Sequence, residues 1–263
     1  MTFRSYGCIS ALLALATGVS SAGAFTIGIR FTDEDTGFGN AAIGSSVVGA
    51  PGYAQANWNT VAVHDRNASS SNDWSQTLPT LVDATGATVP NVIAAFSSDG
   101  SHVTQTYYTY PQPGLTPTEE FLSAGIIAFG AGGDIGFTNL PAGAYSLVIY
   151  TPNAYPGVSS FSVNGGPATS IYEQYGTNFS TSGDVYLSNP GGTASTSPSN
   201  YLVLSGLTPD ATGLIDLHYA EVSGTDVSVS AVQLISTPTP EPASLSLLSV
   251  AAAALLTSRR RSH

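Results

Sequence analysis

Apolar residues in this chain recur at every second position. Phe25, Ile27, Ile29 and Phe31 alternate with Thr26, Gly28 and Arg30, and Ile215, Leu217 and Tyr219 alternate with Asp216 and His218. Successive side chains of an extended chain point to opposite faces, so this period of two specifies strands with one buried and one wet face. Further strand-like segments fall at residues 61–63, 80–82, 91–96, 103–110, 201–204 and 227–234, with clusters of Ser, Asn, Asp and Gly between them, as at 67–73. Segments 133–138 and 144–150, joined by Asn139-Leu140-Pro141-Ala142-Gly143, read as a hairpin. A second hairpin joins 160–163 to 168–171 through Asn164-Gly165, a pair that tolerates positive φ, with Gly166 and Pro167 lengthening the loop. Helix is expected only for a turn or two over 118–124, where Pro117-Thr118-Glu119-Glu120 has the form of a helix start.

Many short strands without a helical layer predict an all-β protein, a jelly-roll-like antiparallel β-sandwich over residues 25–236. Its one cysteine, Cys8, precedes that span, so the sandwich has no thiol for a disulfide, a thiolate metal site or a nucleophile. Charge is sparse and one-sided. The chain has 17 Asp and Glu, all but Glu241 between Asp33 and Asp226, while between the two ends, over residues 25–236, Arg30 and Arg66 are the only Lys or Arg. Such a surface repels nucleic acid and anionic lipid, which sets both aside as partners.

The two ends have a different character. Arg4, an apolar run over 9–19 and the small residues Ala22-Gly23-Ala24 form a signal peptide over 1–24, with Phe25 as the first mature residue. At the other end, residues 237–263 form a tail. Pro240-Glu241-Pro242 holds the chain extended, because each proline lacks an amide hydrogen and restricts its predecessor. An apolar run over 243–257 follows; as a helix at about 1.5 Å per residue it spans roughly 22 Å, short of a bilayer core of about 30 Å. It is suited to a transient membrane hold. Arg259, Arg260 and Arg261 would stay on the cytoplasmic side, leaving everything upstream of Pro240 outside.

Proline-glutamate-proline, a short apolar helix and a terminal arginine cluster, in that order, resemble the PEP-CTERM sorting tail. The resemblance implies an exosortase-type membrane protease as a partner, with Pro240, Glu241, Pro242, Arg259, Arg260 and Arg261 as the sorting motif. It further implies export across the inner membrane, with the cell surface or extracellular space as destination. The phrases Leu81 to Ala87, Phe137 to Tyr145, Phe161-Ser162-Val163-Asn164-Gly165 and Val229 to Ile235 resemble galactose-binding-domain-like jelly rolls of bacterial secreted proteins. That second resemblance concerns fold and transfers no sugar site.

Chemistry is thinly signposted. No Gly-x-Ser-x-Gly elbow is present, and His64 with Asp65 are strand neighbours that point apart. Local carboxylate pairs such as Glu119 with Glu120 do not make a glycosidase, which needs two carboxyls facing one another across a substrate. The reading is therefore non-enzymatic, with no catalytic residue and no required cofactor. Asp33, Glu34 and Asp35, with Glu221 and Asp226 as partners, are candidates for calcium, since hard cations take several oxygens from a loop; the alternative is a solvated acidic turn. Trp58, Trp74, Tyr107, Tyr108 and Tyr155, and beside them Tyr110, Tyr172 and Tyr175, are candidates for stacking on sugar faces; the alternative is packing at strand edges. The leading expectation is a secreted, surface-sorted protein of the envelope or extracellular polysaccharide matrix. The alternatives are a carbohydrate-binding module with a defined glycan and, third, a glycan-acting hydrolase.

Overall fold

The structure, a computed structural model, describes residues 24–33, 46–63, 74–98, 126–128, 132–151, 156–173, 186–224 and 227–237. The segments expected as a signal peptide, through Gly23, as a sorting tail, from residue 238, as a strand at 103–110 and as a helix at 118–124 lie outside them.

Sixteen strands are present among the described residues. In chain order they are β1 (Thr26–Asp33), β2 (Asn59–Val63), β3 (Trp74–Leu78), β4 (Leu81–Val82), β5 (Thr88–Val89), β6 (Ile93–Ser98), β7 (Ile126–Ala128) and β8 (Gly132–Thr138). There follow β9 (Ala144–Tyr150), β10 (Gly157–Val163), β11 (Thr169–Glu173), β12 (Pro198–Ser199), β13 (Tyr201–Leu207), β14 (Ile215–Ser223), β15 (Val227–Val229) and β16 (Ala231–Thr237). Five of them form one sheet in the order β13-β9-β16-β1-β2, and seven form another in the order β12-β11-β10-β14-β8-β6-β3. Pairing is antiparallel except at the parallel pairs β1–β2 and β11–β12, each at a sheet edge.

The alternation read from the sequence is what closes the two sheets on each other. Ile27, Ile29, Phe31, Leu147, Ile149, Leu202, Val232 and Leu234 of the smaller sheet share one buried cluster with Phe96, Ile135, Phe137, Phe161, Ile171, Ile215, Leu217 and Tyr219 of the larger. Phe31 and Phe96 meet edge to face across the sandwich, ring centroids 5.3 Å apart. At about 1.5–3 kcal/mol for each large apolar side chain removed from water, this layer is the dominant stabilising term.

Two expectations are corrected. Segments 133–138 and 144–150 are not a hairpin: β8 pairs with β6 and β14, β9 with β13 and β16, and Asn139 to Gly143 arches from one sheet to the other. Leu140 is the reason, since its side chain is buried in the shared core and its N–H donates to Gly213 O at 2.9 Å. Residues 227–234 are likewise not one strand. Ser230 interrupts them, donating its N–H to Tyr150 O at 2.9 Å, so that β15 pairs with β7 while β16 enters the smaller sheet.

The last strand is also the middle one. β16 lies between β9 and β1, so the first strand joins its sheet only through the last. Thr26 opposite Ile235 places both ends of the domain side by side, and Phe25 N–H donates to Ser236 Oγ at 2.6 Å.

That same end is closed by short turns held by Asn and Asp. Asn164 donates through Nδ2 to Leu214 O at 3.3 Å, and Asn139 through Nδ2 to Asn91 O at 3.0 Å. Two of the turns are copies of one another, Asp83-Ala84-Thr85-Gly86 and Asp210-Ala211-Thr212-Gly213. In each, one aspartate oxygen accepts from the threonine N–H (2.8 and 2.8 Å), the threonine hydroxyl (2.6 and 2.7 Å) and the N–H of Ala87 or Leu214 (3.1 and 3.0 Å). The glycine takes φ of 85° and 81°, which only glycine accepts readily.

Candidate functional site

The outward face of the larger sheet carries the described residues best placed for chemistry. Because Ile135, Phe137, Leu217 and Tyr219 point into the core, Asp134, Gly136, Asp216 and His218 point away from it. Register then sets a polar row across four strands: Ser97 of β6 lies opposite Asp134 of β8, Asp134 opposite His218 of β14, and His218 opposite Ser162 of β10. Bulky side chains are few around it, the neighbours being Ala95, Gly132, Gly136, Ala220 and Ser160.

His218 Nδ1 and Asp134 Oδ1 are 2.9 Å apart, with the two side chains 47% and 38% exposed. The pair therefore faces water. Ser97 Oγ is a long 3.5 Å from Asp134 Oδ2. Asp216 completes the group. Partial burial, and secondarily the charge of Asp134, push its carboxyl above the usual carboxylate range, while His218 opposes them. With Nδ1 of His218 engaged by Asp134, the patch offers carboxylate oxygens and the second ring nitrogen of His218 to any ligand. A nucleophile held against an oxyanion site is not part of it; the backbone N–H groups of these inner strands are committed to the ladder.

A second aromatic group covers the outer face of the smaller sheet. Residues 46–58 fold back on it, and Trp58, Tyr150, Val148 and Ala231 form a buried cluster with Tyr186 and Tyr201 packed against it. Tyr150 OH donates to Gln233 Oε1 at 2.6 Å and accepts from Ala50 N–H at 3.0 Å, and burial pushes its phenol up. Gln233 Nε2 in turn donates to Tyr53 O at 2.7 Å and Gln55 Oε1 at 2.9 Å.

The residues singled out in the sequence distribute as follows. Trp58 is 9% exposed and donates through Nε1 to Gln55 O at 3.0 Å, so its ring is accounted for by packing beneath the 46–58 segment. Trp74 opens β3 opposite Ser98, and Tyr172 is half-buried on β11 opposite Val158. Tyr107, Tyr108, Tyr110, Tyr155 and Tyr175 lie outside the described residues, as do Glu34, Asp35, Asp226, His64 and His102. Asp33 ends β1 opposite Val63 and Glu221 lies on β14. Among the described residues no group of three His, Cys, Asp or Glu is placed to hold a metal ion, and no helix is long and apolar enough to cross a membrane. Of the residues expected to serve signal cleavage and sorting, only Ala24 is described, an exposed residue just before β1; Ala22, Pro240, Glu241, Pro242 and Arg259 to Arg261 lie outside the described residues.

Asp134 is the partner that sequence reading did not single out. The alternation of Asp134 and Gly136 with Ile135 and Phe137 marks it as outward-facing, but its pairing with a histidine 84 positions away depends on register.

No family model and no curated protein matches the chain. Among solved structures it is similar to a family 35 carbohydrate-binding module from Clostridium thermocellum, at 15% identity over 41% of this chain and 74% of that one, with a TM-score of 0.26. It is similar to TmCBM61, solved in complex with beta-1,4-galactotriose, at 12% identity over 42% of this chain and 70% of that one, TM-score 0.24. An exo-beta-1,3-galactanase from Phanerochaete chrysosporium aligns at 11% identity over 70% of this chain and 31% of its own, TM-score 0.25. At TM-scores of this size the likeness carries no argument about ligand or activity.

Proposed function

We propose that this chain is an exported, non-enzymatic protein of the cell envelope or extracellular matrix that contacts polysaccharide through the outward face of its larger sheet. The observation that carries the reading is the solvent-facing Asp134–His218 pair, set in a row with Ser97 and Ser162 on a face kept low by Ala and Gly. Sugar hydroxyls are both donors and acceptors, and a carboxylate, an imidazole and serine hydroxyls on a flat surface can satisfy several at once. Export follows from the signal peptide over 1–24, and retention near the envelope from the tail over 237–263 with an exosortase-type protease as its processing partner.

The test is retention of the exported protein on a panel of immobilised polysaccharides that includes the host's own matrix. Retention that is lost in His218→Ala and Asp134→Ala, with melting unchanged, is the expected result. Passage of the wild type through every column would defeat the proposal. Mass spectrometry of the surface fraction tests the tail separately: a mature C-terminus still carrying Arg259 to Arg261 would rule out processing.

A further inference from the structure

The bond expected to be cut during export is built into the fold, an inference that rests on the signal-peptide reading above. The nitrogen of the Ala24–Phe25 peptide is the Phe25 N–H that donates to Ser236 Oγ at 2.6 Å. The Phe25 carbonyl accepts from Ser236 N–H at 2.9 Å and from Ser236 Oγ at 3.0 Å. Both main-chain polar groups of Phe25 are therefore committed to one residue near the end of the last strand. Its ring packs on the core beside Tyr145, ring centroids 6.2 Å apart. One residue on, β1 has already entered its ladder, with Thr26 opposite Ile235 and Thr26 O accepting from Ala84 N–H at 2.8 Å. Ala24, by contrast, is exposed. The boundary between free chain and folded domain runs through the scissile peptide.

Whether a protease can use a site depends on the burial and hydrogen bonding of the backbone there. An extended peptide is bound through its main-chain groups, and those of Phe25 are taken. Hydrolysis adds water across the Ala24–Phe25 amide and leaves a carboxylate on Ala24 and an α-ammonium on Phe25. The nitrogen that must gain a proton is the one Ser236 covers. Phe25 can be cut only after it has left Ser236 and withdrawn its ring from the core. Timing follows from the sequence separation of 211 between the two residues. In a chain exported from its N-terminus, the bond stays open until β16 seats between β9 and β1. We infer that docking of β16 closes the signal-cleavage site, so that removal of residues 1–24 precedes completion of the fold and a chain that folds first keeps its leader.

Cleavage by a signal peptidase in detergent tests this on three substrates: a synthetic peptide of residues 10–32, the purified full chain in its folded state, and the same full chain carrying Ser236→Ala. The peptide should be cut between Ala24 and Phe25. The folded chain should be cut about 100-fold more slowly or less, because three hydrogen bonds must open first and cleavage tracks the open population. Ser236→Ala, which keeps the Ser236 N–H bond but removes both hydroxyl contacts, should speed cleavage of the folded chain by about fivefold or more while a cooperative melt remains. A folded chain cut as fast as the peptide, or a rate that Ser236→Ala leaves unchanged, would overturn the inference and leave the signal peptide standing. A peptide left uncut at Ala24–Phe25 would remove the cleavage reading and this inference with it.

Discussion

Tyr150 and Gln233 are diagonal neighbours on adjacent strands of the smaller sheet, Tyr150 opposite Ala231 and Gln233 opposite Val148, and the phenol donates to the amide oxygen at 2.6 Å with both side chains fully buried. Gln233 Nε2 then reaches Tyr53 O and Gln55 Oε1, so one glutamine ties the 46–58 segment to the sheet. Gln233→Leu would leave the Tyr150 phenol and the carbonyl oxygens buried without that partner, at about 1–3 kcal/mol for each unsatisfied group. A loss of about 2–4 kcal/mol in denaturant unfolding is expected, with exposure of Trp58 fluorescence as the segment lifts.

The two Asp-Ala-Thr-Gly turns predict an acid dependence. At Asp83, slight burial raises the carboxyl, but bonds from Thr85, Ala87 and Gly86 outweigh it and hold the carboxyl below the usual carboxylate range. At Asp210 bonds from Thr212 and Leu214 lower it, and burial opposes them weakly. A carboxyl whose folded-state value is depressed contributes stability above its unfolded value, near 3.9, and loses it as pH falls through the folded value. Replacing both with Ala should flatten the fall of stability below about pH 4 and lower the plateau above it; melting curves at a series of acid pH values measure both.

Asp216 behaves in the opposite sense. Burial and the Asp134 charge raise its carboxyl, so the folded state holds that proton more tightly than the unfolded state does, and stability declines as pH rises past the ordinary carboxylate value. Asp216→Asn is therefore expected to be more stable than wild type at pH 7 and no more stable at acid pH, below about 4. Unfolding of the two proteins at both pH values checks the sign. A residue kept at a cost in stability fits a role in contact rather than in folding.

Because β16 sits between β9 and β1, its removal should do more than shorten the chain. A chain ending at Ser230 loses the strand that pairs Thr26–Arg30 with the rest of the sheet and the core residues Val232 and Leu234. It is expected to give no cooperative unfolding transition, whereas a chain ending at Thr237 should retain one; circular dichroism melts distinguish them.

How much of this was legible beforehand follows from what each signal measures. Alternation is a local property, so Ile215-Asp216-Leu217-His218-Tyr219 announced both the strand and its wet face. Which strands become neighbours is not local. Asn139-Leu140-Pro141-Ala142-Gly143 carries turn residues that serve a hairpin or an arch equally, and only the burial of Leu140 between the sheets decides. Trp58 looked like a loop aromatic because the 46–58 segment has no periodicity, yet that segment folds onto a sheet face with its own buried cluster. β3 escaped notice for the converse reason: Trp74-Ser75-Gln76-Thr77-Leu78 is a polar edge strand with little to bury. The Asp134–His218 pair required the register of β8 against β14, which no spacing along the chain encodes.

The most direct measurement of the central claim is the side-chain nitrogen NMR spectrum of His218 in the purified protein, followed as soluble polysaccharide fragments are added. The proposed contact predicts that the His218 ring nitrogens shift with the binding isotherm and that Asp134→Ala abolishes both the shift and the affinity. Saturable binding that leaves His218 unmoved, with affinity unchanged in Asp134→Ala, would contradict it.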